Sequence, residues 1–305
     1  MKPTLLLAIP LGKAFEQNFT DRYEVSADMT PRSGVEVLVT IGAIGADGTF
    51  MDGFPDLKLI SCFGSGYESV DLTAAKARGI KVTNTVGANA ATVADLAVGL
   101  LLASMRHVVY GDQQIRAGHW RGKNMAKVLF TPSVTGRKIG IIGLGAIGRK
   151  IGERMAAFET EVGYFNRSKK DDVNWQYFST PLELAEWADV LIIAHRADET
   201  NRHMINAAMM KALGPEGHIV NISRGSAIDE DALIAALQDG TIAGAGLDVF
   251  EDEPNVRPEF LTLPNVVLTP HIGGGTREAF AAMSATVVAN VYAMGDGKPL
   301  PNEVI

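Results

Sequence analysis

The chain has 305 residues, 47% of them hydrophobic, enough to bury the core of one large domain or two ordinary ones. Its formal charge of −7 leaves no electrostatic footprint for a nucleic acid or an anionic membrane surface. One cysteine, Cys62, excludes an internal disulfide framework and fits a reducing compartment, so a cytoplasmic location is expected.

The opening residues carry a brief apolar run that Pro10 ends, without a signal-type cleavage pattern, and read as a first buried strand. The spacing predicts strands over 5–9, 35–40, 57–62 and 80–82, with room between them for helices such as 72–78. That βα alternation implies a parallel sheet. Two glycine-rich turns, Ile41-Gly42-Ala43-Ile44-Gly45 and Gly64-Ser65-Gly66, directly follow strands. The carboxyl edge of an open α/β sheet is where ligands bind, although both read equally well as plain strand-to-helix turns. Residues 91–106 predict an apolar helix, buried nearly all round and suited to a junction between lobes. Its most apolar part, 94–105, is too short for a membrane span. A polar excursion follows over 111–127 with Trp120 as its lone large aromatic, either an arm for another subunit or a surface-hugging loop.

From Arg137 a second βα series begins. Ile139, Ile141 and Ile142 form a short strand that runs into Gly143-Leu144-Gly145-Ala146-Ile147-Gly148 and a helix over 149–158. Further strands are expected at 162–165, 190–194, 218–222, 243–249 and 266–268, with helices at 181–187, 207–213 and 230–239. A last amphipathic helix spans 277–294. The fold class is α/β, with two doubly wound parallel-sheet domains.

Each glycine of the turn has its own physical task. Gly143 permits the tight turn, Gly145 lets backbone approach a pyrophosphate, and Gly148 lets the helix pack on the strand. The helix N-terminus supplies N–H groups and partial positive charge for the phosphates. The context of strand, turn, helix and second strand makes this a dinucleotide fingerprint rather than a stray glycine pattern. The acidic residue that grips an adenosine ribose belongs about 20 residues further on, at the tip of the second strand. That tip is Asn166-Arg167-Ser168-Lys169-Lys170, and Asp171 and Asp172 follow only after the basic cluster. Arg, Ser and Lys pair with a 2′-phosphate, so NADP(H) is expected over NAD(H).

Three segments near the carboxyl ends of late strands carry charged residues in apolar surroundings. They are Asn221-Ile222-Ser223-Arg224-Gly225, Gly246-Leu247-Asp248-Val249-Phe250-Glu251-Asp252-Glu253-Pro254 and Thr269-Pro270-His271-Ile272-Gly273-Gly274. Hydride transfer to a 2-keto acid needs a cation for the carboxylate and carbonyl. It also needs an acid for the nascent alkoxide and a carboxylate that keeps this acid charged. Arg, His and Glu fit those roles, though each alone reads as an ordinary structural residue.

Together with the mid-chain glycine turn, these segments resemble the D-isomer-specific 2-hydroxyacid dehydrogenases. The resemblance also covers Gly64-Ser65-Gly66-Tyr67-Glu68-Ser69-Val70-Asp71 and Val93-Ala94-Asp95-Leu96, and runs from 57 to 301. It implies that Arg224 binds and polarises the substrate, that His271 is the proton donor, and that Glu253, immediately before the proline, rather than Glu251 is its carboxylate partner. Backbone amides at Ser65 and Gly66 would hold the substrate carboxylate. Cofactor contacts are implied at Gly143, Gly145, Ala146, Ile147 and Gly148, then at Asn166, Arg167, Ser168 and Lys169. Others are implied at Ile222, Ser223, Gly273 and Asp248, the last facing the nicotinamide carboxamide. No metal site is expected.

The family architecture implies a Rossmann-type dinucleotide domain (99–274) inserted into a flavodoxin-like substrate domain (1–98 and 275–305). The active site would lie in a cleft that closes before hydride transfer. A homodimer built through the cofactor domain would give the 111–127 excursion a purpose. Within the family, the basic turn resembles NADPH-dependent glyoxylate/hydroxypyruvate reductases. The chain departs from the common pattern at Ala194-His195-Arg196-Ala197-Asp198, where relatives carry a proline and small apolar residues. Arg196 would add a second cation for the 2′-phosphate, and His195 would be cofactor-adjacent rather than catalytic. The expected substrate is a small 2-keto acid such as glyoxylate or hydroxypyruvate, in a small or apolar pocket lined by the 41–45 turn. The alternatives are a dinucleotide-sensing corepressor of the same fold, a phosphoglycerate-type dehydrogenase and a formate dehydrogenase, which would carry glutamine at 253.

Overall fold

A computed structural model of the chain describes residues 2–120 and 130–305. In chain order it holds β1 (Thr4–Leu7), α1 (Lys13–Gln17), β2 (Glu24–Ser26), β3 (Val35–Thr40), α2 (Gly48–Asp52), β4 (Leu59–Cys62), α3 (Leu72–Ala77) and β5 (Lys81–Thr83). Then come α4 (Ala90–Met105), α5 (Val108–Arg116), β6 (Lys138–Ile142), α6 (Ala146–Ala156), β7 (Glu161–Phe165), β8 (Gln176–Phe178), α7 (Pro181–Trp187) and β9 (Val190–Ile193). The remainder is α8 (Ala207–Leu213), β10 (His218–Asn221), α9 (Glu230–Asp239), β11 (Gly244–Leu247), α10 (Pro258–Thr262), β12 (Val266–Leu268) and α11 (Arg277–Gly295). Two compact units result: Met1–Ala90 with Gly274–Ile305, and Ala91–Gly273. The divisions fall at 90/91 and 273/274, where the sequence reading places them at 98/99 and 274/275.

The first unit is built on a five-stranded parallel sheet in the order β2-β1-β3-β4-β5, the flavodoxin-like arrangement. Alternation along the strands sends side chains to both faces. Leu6, Leu38, Ile60 and Val82 pack with Met51 and Ala75 of α2 and α3. Leu5, Leu7, Val37, Val39 and Leu59 meet Phe15, Phe19, Val287 and Val291 on the other face. Both faces are therefore covered, which is why these strands read as continuous apolar runs. Residues 302–305 return to β5, where Val304 N–H donates to Val82 O at 2.7 Å and Thr83 bridges Glu303 antiparallel.

The second unit carries a seven-stranded parallel sheet, order β12-β11-β10-β9-β6-β7-β8. The order reverses between β6 and β9, and open α/β sheets bind ligands at such a switch point. Ile139, Ile141, Val190 and Ile192 face α4 and α6, while Ile142, Leu191, Ile193 and Ile219 face α7, α8 and α9. The apolar α4 spends its Ala94, Ala97 and Leu101 on this sheet.

Two strands absent from the sequence reading, β2 and β8, are edge strands of three residues each, too short to show an alternation. Helix α6 starts directly after the glycines at Ala146 rather than at 149. Within the expected 111–127 excursion, 111–116 continue α5, and 121–127 lie outside the described residues.

Candidate active site

β6 delivers the chain to Gly143, whose φ of +98° lies in the region that favours glycine. A side chain there would overlap the backbone of His195, and one at Gly148 would overlap the Gly143 carbonyl oxygen. Gly145 is different: the space its Cβ would fill is open, and it caps α6 without any side-chain hydrogen bond to the first-turn N–H groups. A helix start with open space and uncapped donors is an anion site in waiting. Ala146, Ile147 and Gly148 make up that first turn.

The basic turn after β7 is held from behind. Leu144 N–H donates to Asn166 Oδ1 at 3.4 Å, and Lys170 N–H donates to the Tyr164 hydroxyl at 2.8 Å. Arg167, Ser168 and Lys169 stay exposed, while Asp172 is drawn off to Arg149 at 2.8 Å. Asp198 stands within electrostatic reach of this turn. The Thr200 hydroxyl, and after it the charges of Arg196 and Arg167, hold its carboxyl below the usual range. His195 shares Nε2 with Asn201 Oδ1 at 3.3 Å, and its buried Nδ1 has no hydrogen-bond partner among the described residues. Burial holds this imidazole below its ordinary pKa.

At the ends of β10, β11 and β12 the three charged segments meet. Buried Asn221 accepts from Ser223 N–H at 3.0 Å and Ser223 Oγ at 3.1 Å, and donates to Arg224 O at 2.8 Å, which fixes the turn carrying Arg224. Ile222 and Ser223 are buried within that turn. Gly225 lies flat on the chain at Phe250 and Glu251, where any Cβ would overlap the Phe250 carbonyl carbon. Glu253 folds back to accept Phe250 N–H at 3.1 Å, and its other oxygen lies 2.7 Å from His271 Nδ1. Burial alone would push the Glu253 carboxyl up. The His271 hydrogen bond, the Phe250 N–H and the charges of His271 and Arg224 outweigh it, holding the group below the usual carboxylate range.

His271 has φ +52°, a left-handed conformation unusual for a side-chain-bearing residue. Asp248, 2% exposed, enforces it. Its Oδ1 accepts from Thr269 Oγ1 at 2.6 Å and Ile272 N–H at 2.9 Å, its Oδ2 from Gly273 N–H at 2.8 Å, and its backbone O from His271 N–H at 2.8 Å. The structure thus brings Arg224, Glu253, His271, Asp248 and Gly273 together and gives Asp248 an intrachain positioning task.

Ser65 and Gly66 belong to the first unit. Asn84 Nδ2 donates to Ser65 O at 2.9 Å, Ser65 Oγ donates to Asn89 Oδ1 at 3.2 Å, and Gly64 N–H donates to Thr85 Oγ1 at 2.9 Å. The 41–45 turn packs on this loop, with Gly42 against Gly66 and Gly45 against Ser69.

Residues 98–273 match the model of the D-isomer specific 2-hydroxyacid dehydrogenase NAD binding domain. The chain belongs to this family. Hydroxyphenylpyruvate reductase of Plectranthus scutellarioides is 37% identical over 311 residues, covering 99% of this chain and 98% of its own. Glyoxylate/hydroxypyruvate reductase A of Arabidopsis thaliana is 40% identical over 276 residues, covering 90% of this chain and 87% of its own. The crystal structure of NADPH-dependent glyoxylate/hydroxypyruvate reductase from Sinorhizobium meliloti, in complex with NADP and malonate, superposes with a TM-score of 0.89 at 36% identity, covering 100% of this chain and 97% of its own. As a member of this family the chain is an oxidoreductase that uses a pyridine nucleotide. The open Gly145 cradle, the uncapped start of α6 and the orphaned Nδ1 of His195 fit such a ligand.

Several supporting residues escape the sequence reading. Glu230, 6% exposed at the start of α9, accepts Glu251 N–H at 2.9 Å and so steadies the loop that carries Glu253. Glu251 itself is taken by Arg202 and, at 2.9 Å, by His203. That leaves Glu253 as the carboxylate on His271 and gives a physical reason for choosing it over Glu251. A glutamate at a helix start looks like any first-turn acid, so only the fold reveals what Glu230 does.

Proposed function

We propose that this chain reduces a small 2-keto acid, such as glyoxylate or hydroxypyruvate, to the D-2-hydroxy acid with NADPH. The observation that carries the reading is the 2.7 Å pair of His271 Nδ1 and Glu253, set beside the turn of Arg224. The bound nucleotide supplies the hydride. The Arg224 guanidinium takes the substrate carboxylate and polarises the carbonyl. Glu253 engages Nδ1, which leaves Nε2 of the imidazolium to give its proton to the developing alkoxide. Asp248 and the Gly225 contact hold the two catalytic loops in place. In the first unit, the amides of Ser65 and Gly66 take the carboxylate, and the second unit takes the nucleotide. The relatives named above are reductases, which favours this reading over a dinucleotide sensor.

Exposed Arg167, Ser168 and Lys169, with Arg196 following β9, support the preference for NADPH. Asp198 tempers that preference by offsetting part of the positive charge. The single buried Cys62, its thiol pushed up to about 12 by burial, supports a cytoplasmic location. Apolar side chains exposed along α5 and beyond it (Val108, Val109, Ile115, Trp120 and Phe130) support a homodimer built through the second unit.

The test follows oxidation of NADPH and of NADH separately with glyoxylate, hydroxypyruvate and pyruvate, alongside light scattering for the mass in solution. Turnover with NADPH at the mass of a dimer is expected. An NADH preference sinks the cofactor assignment, a monomer sinks the assembly, and no turnover with any acid sinks the activity.

A further inference from the structure

We propose that Asn84 is a positioning residue for the substrate carboxylate, and that Asn290 and Asn302 act on substrate binding through it. This rests on the reductase reading, in which the amides of Ser65 and Gly66 take that carboxylate, and adds the residues that aim them. All of these residues belong to the first unit.

The relay starts at an amide in an apolar place. Asn290 of α11 is 0% exposed, on the helix that carries buried Val287 and Val291. An amide buried there costs free energy unless both its ends are hydrogen-bonded. Its Nδ2 donates to Thr286 O at 3.0 Å and to Asn302 Oδ1 at 3.5 Å, and its Oδ1 accepts Asn302 N–H at 3.1 Å. The amide is therefore spent on docking residue 302. From there the chain runs antiparallel to β5. Lys81 Nζ meets Glu303 Oε1 at 2.6 Å, and Val82 N–H donates to Ile305 O at 3.2 Å. At the near end Asn302 O accepts Asn84 N–H at 3.3 Å, just past the last residue of β5.

Asn84, itself 6% exposed, carries this placement to the substrate turn. Its Oδ1 accepts Val86 N–H at 3.3 Å, which turns Nδ2 toward Ser65 O at 2.9 Å. Neighbouring Thr85, fully buried, pins Gly64 from both sides. Its N–H donates to Gly64 O at 2.9 Å, and its Oγ1 accepts Gly64 N–H at 2.9 Å. The Ser65 carbonyl and the Gly66 N–H are the two ends of one peptide unit. Holding the carbonyl fixes the direction of the N–H, and a bond accepted at the carbonyl strengthens the one that the N–H donates. Three asparagines thus set the aim and the strength of one carboxylate donor. The carboxylate is the same in the keto acid and in the transition state, so the relay contributes to both equally and acts on KM rather than kcat.

The test measures KM and kcat for glyoxylate and hydroxypyruvate with NADPH, and the Kd of NADPH, for the whole protein and its variants. Asn84→Ala should raise KM about tenfold, with kcat within about threefold of the parent and the NADPH Kd unchanged. Asn290→Ala should raise KM about threefold. The double variant should be no worse than Asn84→Ala alone, because Asn290 acts through Asn84. Effects that multiply in the double variant overturn the relay. A KM that Asn84→Ala leaves unchanged, or a kcat or NADPH affinity that falls alongside it, overturns the positioning role. If Asn290→Ala does not fold, the Asn84→Ala split alone decides. A parent that reduces neither acid overturns the reductase reading instead.

Discussion

Because Nδ1 of His271 is spent on Glu253, only Nε2 can face a substrate, and the left-handed backbone at this residue fixes its direction. His271→Ala should lower kcat for keto-acid reduction by about 10²–10⁴-fold while leaving NADPH binding nearly intact. Activity within tenfold of the parent would remove His271 from the proton-transfer role. Glu253→Gln tests the pair more finely. The carboxylate, held below its usual pKa range, is ionised throughout neutral pH and lies 2.7 Å from His271 Nδ1. Without that acceptor the Nδ1 side of the ring loses its charged partner, so kcat should fall by about 10-fold or more while NADPH binding stays nearly intact. An unchanged kcat would mean Glu253 does not support the acid. At this scale the sequence is informative because Arg224, Glu253 and His271 each lie just beyond a strand, in short motifs. It is silent on partners brought in from elsewhere, such as Glu230 on Glu251 or Asn166 on Leu144.

Elements place these residues by close backbone approach. The 3₁₀ turn after Arg224 and the chain at Phe250–Glu251 touch at Gly225, so the loops carrying the cation and the carboxylate move as one. Gly225→Ala should push them apart, lowering kcat and destabilising the fold by about 1–3 kcal/mol, as overpacking does elsewhere. An unchanged kcat with an unchanged urea midpoint would refute this packing account. The helices over 181–187, 207–213 and 230–239 were legible from the spacing between strands, and caps fix their starts. Thr180 with Glu183 opens α7 as a capping box, and Asn206 and Asp229 cap α8 and α9. The strands β2 and β8 were not, because three residues at a sheet edge carry too little pattern to distinguish them from loop. Helix α6 begins earlier than its apolar pattern suggests because the glycine turn itself supplies the first residues.

For the molecule as a whole, one buried imidazole sets a limit on acid stability. His218 of β10 is 4% exposed, its Nδ1 lies 3.0 Å from Ser104 Oγ, and burial lowers its pKa to about 4. The unfolded chain therefore binds a proton through the ordinary imidazole range that the folded chain refuses. The neutral ring costs nothing above pH 6.5, and stability falls as pH drops from there toward 4, by about 3 kcal/mol at most from this group. His218→Gln should flatten that part of the curve when urea midpoints are compared at pH 7.5 and pH 5. An equal loss in parent and variant would show that other groups govern acid unfolding.

Helix α11 lies against β4, and its Val287 and Val291 complete one face of the first sheet, yet α11 follows the entire second unit in sequence. On a ribosome, residues 1–90 emerge first but cannot close their core. Leu5, Val37 and Leu59 have no cover from α11 until residues 91–273 have been made, so the inserted unit can fold first and the N-terminal strands must wait. The nascent chain thus exposes an apolar sheet face for the time needed to synthesise the whole insertion, and that interval is where a chaperone would act.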